Sequence, residues 1–385
     1  MTTAEKVYLD LICSAIWSEE SVKNFSGVSW SDVLTLAHKQ GTLPLLYDKL
    51  LSLDHEIGMP ADWKLWMQQY CMANILSQKK WEERLKRCIE GLNDVPSVLL
   101  KGFGLARYYP TPYLRQWGDL DVWVGVDNYH VACANLRQTF PEAIHHDEEW
   151  EELKHYCFVF PDEAAIELHR VTMGFASECD GRYYARLEKE GMSQVASIAV
   201  GEVEVNVPED KFNMLFVFMH AWEHFISTGM PMKQLCDMAL LVHCVYGQAT
   251  QEKRKEMEQY LQKHLRKLHL LGVWKTVGYV VVHYLRLPSN EWPLYCESAQ
   301  VVKYGERLFE RVMREGQGRN HQPSVEREVA RKMPILKRKW ITLKVRYANA
   351  MDIMPYAPDY MWHWMCANVL KGIKRTIKRT PMVPY

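Results

Sequence analysis

At 385 residues and 48% hydrophobic content, the chain is long enough for two or three packed units with a sizeable core. Lys plus Arg equal Asp plus Glu at 47 each. This excludes a bulk electrostatic drive toward nucleic acid or an anionic membrane, so any such contact must come from a local patch. No uninterrupted apolar stretch approaches the roughly 18 residues of a membrane span. The opening Met1-Thr-Thr-Ala-Glu-Lys6 lacks the basic and apolar regions of a secretory signal, so the expected location is cytoplasmic. Ten cysteines are scattered with no Cys-x-x-Cys pair, and they are expected to be reduced core residues.

Residues 4 to 92 place apolar side chains at helical spacing, as in Val33, Leu34, Ala37, Leu43 and Leu46, and predict an all-helical preface. Trp81 to Ile89 is its charged last helix. The breaker cluster Asn93-Asp94-Val95-Pro96 then hands over to a short apolar run, Val98-Leu99-Leu100, which predicts the first core strand. Lys101-Gly102-Phe103-Gly104 reads as a glycine-bearing turn into a short helix. Leu120, Val122 and Val124 alternate with Asp119, Asp121 and Trp123, the period-2 signature of a strand. Asn128 to Phe140 predicts a helix. His155 to Phe160 and Ala164 to Arg170 predict a hairpin, as do the strands around Gly201-Glu202, and beyond Pro208 the pattern is mostly helical.

The expected class is α+β, a mixed sheet with helical N-terminal and C-terminal regions. The expected organisation is residues 1–75 as an N-terminal helical region, 76–207 as the core and 208–385 as a C-terminal helical domain.

The chemistry concentrates on carboxylates. Side chains at i and i+2 of a strand leave one face, so Asp119 and Asp121 project together while Leu120 and Val122 enter the core. Such a pair is costly unless cations neutralise it, and hard Mg²⁺ or Mn²⁺ ions prefer oxygen ligands. Glu167, between Ile166 and Leu168, offers a third carboxylate. Three acids can hold the two metals, about 3.5–4 Å apart, that stabilise attacking and leaving oxygens in phosphoryl chemistry. The competing reading makes Asp119 and Asp121 ordinary solvent-facing residues of an edge strand.

Leu100-Lys101-Gly102, Tyr109-Pro110, Arg115, Asp119-Leu120-Asp121 and Ile166-Glu167-Leu168-His169, in that order, resemble the uncharacterised nucleotidyltransferase family of the polymerase-beta superfamily. The resemblance extends upstream through Trp30 to Tyr47 and downstream to His220, His224 and Asp237, spanning roughly 25 to 245. It implies a nucleotidyltransferase-like mixed sheet, with Asp119 and Asp121 as ligands of Mg²⁺ or Mn²⁺ and Glu167 as third ligand or base. It further implies a nucleoside triphosphate as co-substrate and an acceptor it does not name. The wider superfamily often opens the helix with Gly-Ser, whereas this chain has Gly102-Phe103 and Gly104-Leu105. Triphosphate binding then rests on backbone N–H groups of Gly102 and Gly104 with Lys101 and Arg115. The alternative for that lysine and arginine is a surface ion pair. His169, His220, His224 and Asp237 are expected to help hold the acceptor or nucleotide. A catalytically silent nucleotide- or partner-binding protein of the same fold is the alternative.

His220-Ala-Trp-Glu223-His224 also fits the H-x-x-E-H zinc pattern, which needs a third ligand downstream. Its competing reading is a pair of hydrogen-bonded core histidines. Residues 331 to 385 carry twelve Lys or Arg against Asp352 and Asp359, which makes contact with RNA or an anionic membrane conceivable, although a solvated basic tail is the simpler expectation.

Overall fold

The structure is a computed structural model, which describes residues 1–19, 25, 27–52, 58–144, 154–316, 347–348 and 350–377. Four helices form the preface: α1 (Thr3–Trp17), α2 (Trp30–Lys39), α3 (Leu43–Ser52) and α4 (Ala61–Leu92). Helix α1 starts at a capping box, in which the Thr2 hydroxyl accepts from the Glu5 N–H and the Glu5 carboxylate accepts from the Thr2 N–H. The 32-residue helix α4 runs without a break through positions 75 and 76, so the expected boundary between preface and core falls inside a helix. Asn93 in the left-handed region ends it.

Strands β1 (Val98–Leu100), β2 (Leu120–Trp123), β3 (His155–Val159) and β4 (Ala165–His169) form one mixed sheet in the order β1-β2-β4-β3. Its central pair, β2 and β4, is parallel, and the outer pairs are antiparallel. The predicted His155–Arg170 hairpin is thus β3 and β4, in register from His155 opposite His169 to Val159 opposite Ala165. The five-residue helix α5 (Gly102–Ala106) follows β1, and α6 (Gly125–Thr139) follows β2 as its 3.6-residue pattern predicts. The second predicted hairpin, β5 (Val195–Val200) and β6 (Val203–Pro208), is a separate two-stranded sheet reached through α7 (Glu178–Ser193).

The sheet is covered on both faces. Leu99, Leu120, Val122, Ile166, Leu168, Tyr156 and Phe158 point into a core shared with Trp81, Leu85 and Cys88 of α4 and with Tyr129, Cys133 and Leu136 of α6. Helices α4 and α6 approach so closely that a Cβ on Gly91 would lie 2.2 Å from the Thr139 Oγ1, so only glycine fits there. Val98 and Leu100 point the other way, into a larger core built by the helices of both ends of the chain. Its centre is α8 (Asp210–Ser227), in which Phe212 to Met219 are buried on every side. Around it lie α9 (Met232–Val242), α10 (Gln251–Lys267), α11 (Leu271–Leu285), α12 (Ala299–Glu315), α13 (Pro358–Ile377) and the preface helices. Buried residues from the preface helices and from the helices after 208 thus belong to one hydrophobic cluster.

The architecture is α+β, a small mixed sheet flanked by helices with helical terminal regions. No helix among the described residues is long and apolar enough to cross a membrane. All ten cysteines are free thiols, but Cys179 and Cys366 are exposed and Cys157, Cys244 and Cys296 are half-buried, so only five are the core residues expected of all ten. Of the basic positions after 330, Arg331, Lys332, Lys337, Arg338, Lys339, Lys344, Arg346, Lys378 and Arg379 lie outside the described residues, while Lys371, Lys374 and Arg375 fall within α13.

Candidate active site

The site lies on the sheet face turned toward α8 and α9. Strand register makes it: Asp121 pairs with Glu167 across the parallel β2 and β4, and the next residues on that face are Trp123 and His169. Antiparallel pairing brings in His155 opposite His169 and Cys157 opposite Glu167 from β3. Period-2 alternation sends Leu120 and Val122 into the opposite core while it delivers both carboxylates to this face. Asp119 stands just before β2 and is half-buried.

Asp121 is 2% exposed. The Lys101 ammonium lies 2.9 Å from its Oδ1, and the His169 Nε2 lies 2.8 Å from the same oxygen and 3.4 Å from the Glu167 Oε2. Burial would raise the Asp121 carboxyl, but the Lys101 charge and the His169 hydrogen bond outweigh it and hold the group well below the usual carboxylate range. Burial would likewise raise Glu167, but its bond to His169 together with the charges of His155 and His169 outweighs it and keeps the group lowered. Lys101 and His169 are raised in turn, because their carboxylate partners outweigh burial. For Asp119 the charges of Lys101 and Lys233 fall short. The charge of Asp121, followed by burial, pushes it up to about 6.

Three groups of His, Cys, Asp or Glu among the described residues bring one donor atom each within 4.8 Å of the others, and two are here: Asp121 with Glu167 and His169, and His155 with Cys157 and Glu167. Asp119 belongs to neither group. It joins the site through charge, interacting with Asp121, Glu167, Lys101 and Lys233. His169 is 4% exposed and its Nε2 faces two carboxylates, so its place is behind them.

Lys101 reaches this position from a backbone that few non-glycine residues adopt, φ +49° and ψ −132°, and Gly102 follows at φ +36°. Such a conformation costs on the order of 1–3 kcal/mol and persists where its surroundings impose it. Here the imposing contacts are the ammonium's bonds to Asp121 and, at 3.1 Å, to the His220 Nε2. A Cβ on Gly102 would sit 3.3 Å from the Trp117 ring, and one on Gly104 would sit 3.3 Å from Val207 of β6. Gly104 thus makes room for the hairpin, while Gly102 serves the turn.

His220 and His224 meet edge to face one helical turn apart on α8, with their Nε2 atoms 3.0 Å from each other. Burial, followed by the Lys101 charge, holds His220 well below the ordinary imidazole range and brings His224 down to about 4. Both rings are neutral at physiological pH. Glu223 between them is turned to the Lys154 ammonium at 2.7 Å. Among the described residues no third His, Cys, Asp or Glu joins these histidines in a donor cluster, so the zinc pattern lacks the ligand it requires.

Arg115 and Asp237 meet each other. The Arg115 Nε and Nη2 donate to the two Asp237 oxygens at 2.7 and 2.8 Å, and the Tyr109 hydroxyl donates to Oδ1 at 2.7 Å. The two side chains are 6% and 4% exposed, so the surface ion pair that the sequence leaves open is in fact a buried one. Lys233, one turn before Asp237, is the residue that reading the chain missed. Its Nζ donates to the Gln116 carbonyl at 3.3 Å, and burial, followed by the Arg115 charge, lowers it to about 8. The available signal was the i, i+4 spacing of Lys233 and Asp237 on one helical face.

Comparison with known proteins bears on the identity of this site. Among solved structures, the chain matches the crystal structure of an antigenic nucleotidyltransferase-like protein from Paracoccidioides brasiliensis. Identity is 10% and the TM-score 0.29, over 52% of this chain and 86% of that one, a likeness too slight to fix the fold. No curated protein matches. The model of the uncharacterised nucleotidyltransferase family matches residues 26–274, which contain every site residue described above, and the chain belongs to that family.

Proposed function

We propose that the protein transfers a nucleotidyl group from a nucleoside triphosphate to an acceptor hydroxyl with the help of Mg²⁺ or Mn²⁺. The observation that carries this reading is the register that sets Asp121 beside Glu167, with Asp119 two residues upstream and charge-coupled to both. The donor set fits the ion. Three oxygen donors suit a hard divalent cation, and the rise of Asp119 to about 6 is the repulsion such a cation would relieve. Asp119, Asp121 and Glu167 would hold it, and when bound it neutralises charge on the transferring phosphoryl group.

The chain's own residues do the rest. Lys101 stays charged and Lys233 titrates near 8, so both offer cations to phosphate oxygens, beside the backbone at Gly102 to Gly104. Arg115 is held by Asp237 and fixes the wall of the site rather than reaching out. Glu167 is ionised at neutral pH and accepts the acceptor's proton. The neutral imidazoles of His220 and His224 orient the acceptor by hydrogen bonds. Ten free thiols support a reducing compartment such as the cytoplasm.

The test is transfer of label from each α-labelled nucleoside triphosphate in the presence of Mg²⁺ or Mn²⁺ and a cell extract. The expected result is a labelled acceptor and released pyrophosphate, both abolished by Asp121→Asn and Glu167→Gln at unchanged circular dichroism. Failure of every triphosphate to transfer, with nucleotide binding unaltered by Asp119→Ala plus Asp121→Ala, overturns the reading. One observation favours a second reading, a silent nucleotide-binding protein: Lys101 and His169 already satisfy the Asp121 Oδ1. Nucleotide binding that depends on Lys101 but occurs without turnover is its signature.

A further inference from the structure

We propose a second metal site, built from Asp180, His269 and His363, that binds one zinc-class divalent ion. The three residues come from three separate segments: the first turn of α7, the corner between α10 and α11, and α13. One donor atom from each lies within 4.8 Å of the others. The His363 Nε2 is 2.5 Å from the Asp180 Oδ2, and the His269 and His363 rings stack with centroids 4.1 Å apart and planes 28° apart. Each group has a reason to be there beyond the others. Asp180 is fixed at a helix N-terminus, where its N–H donates to the Ser177 hydroxyl. His269 holds a left-handed backbone at φ +60° to turn its corner.

An independent feature points to a ligand. A cavity of about 690 Å³ opens beside the cluster, and its wall includes both histidines together with Asp359 and Cys366. Asp359, His363 and Cys366 stand at i−4, i and i+3, so one face of α13 turns a carboxylate, an imidazole and a thiol toward the same space. A plain Asp180–His363 ion pair explains neither the second imidazole nor the donors of the cavity wall. Two imidazoles and one carboxylate match the three-ligand zinc pattern, which keeps a fourth position for water or a small ligand, and the two histidines also line the cavity. Imidazole donors select against Mg²⁺, so the ion differs in class from that of the sheet carboxylates. Ligands at about 2.0–2.2 Å around a tetrahedral zinc stand about 3.3–3.6 Å apart, so the His363 Nε2 and Asp180 Oδ2 would part by about an ångström and the stacked His269 ring would turn its donor toward the ion, movements of side chains that are exposed or half-buried. The ion would tie α13 to the body of the protein through α7 and the α10–α11 corner.

The full-length protein, stripped with EDTA and dialysed, is titrated with Zn²⁺, and with Mg²⁺ in parallel, by calorimetry. Zinc retained after gel filtration is counted by elemental analysis. The expected result is one retained zinc equivalent and no heat from Mg²⁺ competing for it. That equivalent is lost in His363→Asn and in the exposed-site variant His269→Asn, and kept when His220 and His224 are both replaced by Ala. Cobalt in place of zinc is expected to give the visible absorption of a tetrahedral site. Because His269 is exposed, its replacement leaves the core intact, and circular dichroism confirms this for each variant. A wild-type protein that retains no zinc, a His269→Asn variant that retains it all, or loss of the ion on changing His220 and His224 instead overturns the proposal.

Discussion

Replacing Asp237 with Ala tests how the wall of the site is held. Asp237 is 4% exposed, and it accepts two bonds from Arg115 and one from Tyr109. Removing it strands a guanidinium that is itself only 6% exposed and whose partner holds it firmly charged. Breaking a buried pair in this way costs about 3–5 kcal/mol, and an orphaned Tyr109 hydroxyl adds about 1 kcal/mol or more. Against a typical total stability of about 5–15 kcal/mol, this is a large fraction. The assay is urea unfolding followed by far-ultraviolet circular dichroism, with the same measurement on Arg115→Met and on the double variant Arg115→Met/Asp237→Leu. The double variant removes both charges together, and recovery of most of the lost stability is expected because no buried charge is then left alone. A loss below about 1 kcal/mol in Asp237→Ala, or a double variant no more stable than the single, would refute the assignment of a desolvated structural pair. Arg115 would then return as a phosphate contact.

Lys233 has a folded value of about 8 against an ordinary 10.5, so the folded state resists its charge. Stability tied to this group is present above the unfolded value and is lost as pH falls through about 8, by up to about 3 kcal/mol. Lys233→Met, which gives up a bond to the Gln116 carbonyl worth about 1 kcal/mol, is expected to be more stable than wild type at pH 7 and to show a flatter profile between pH 7 and 10, read from urea midpoints. Gly91→Ala is expected to destabilise by about 1–3 kcal/mol although Ala is the better helix former, since its Cβ meets Thr139 at 2.2 Å. Thermal unfolding of Gly91→Ala/Thr139→Ala, which removes the clash, should recover most of the loss. Lys101→Met is expected to abolish transfer, and in metal-free buffer it should release Asp121 from its low range, detectable as a carboxyl titration shifted upward in carbon-13 NMR.

What the sequence displayed well were features whose cause is local. Alternation over Leu120 to Val124 and over Ala165 to His169 follows from strands with one apolar face, and it set Asp121 and Glu167 on the opposite, polar face before any partner was known. The hairpin turns were legible for the same reason. Helix α4 hid its continuity because it packs on α3 at one end and on α6 at the other, so its apolar stripe changes partner midway and the pattern reads as two elements. The shared core of the two ends was invisible for a different reason: apolar spacing reports that a face is buried and never against what. Long-range polar contacts left even less trace. Lys101 meets His220 across 119 positions and Arg115 meets Asp237 across 122, distances over which no periodicity connects them. The exposed Cys366 and half-buried His363 likewise gain meaning only when α13 is laid beside the α10–α11 corner.

The charge arrangement explains why the site is assembled as it is. Three carboxylates share the face, and without a metal their repulsion is met by Lys101 and His169, both held in the charged form. Compensation is uneven, because these cations serve Asp121 and Glu167 while Asp119 is left raised to about 6. On the proposed function, a divalent cation would be drawn first to Asp119, where unmet negative charge remains, and shared with Asp121. Lys101 would not need to leave for this, since its 2.9 Å contact with Asp121 is to Oδ1. On that reading the lysine and the ion would act together on the phosphates instead of competing for one carboxylate. The strained backbone at Lys101 would then serve to hold an ammonium on the strand end where, on the proposed function, two positive charges meet a polyanion. A Lys101→Arg variant keeps the charge but carries it on a planar fork too large for the gap between Asp121 and His220. If the placement of the ammonium matters and not only its charge, this variant binds Mn²⁺ with nearly unchanged affinity in a paramagnetic relaxation titration yet loses transfer.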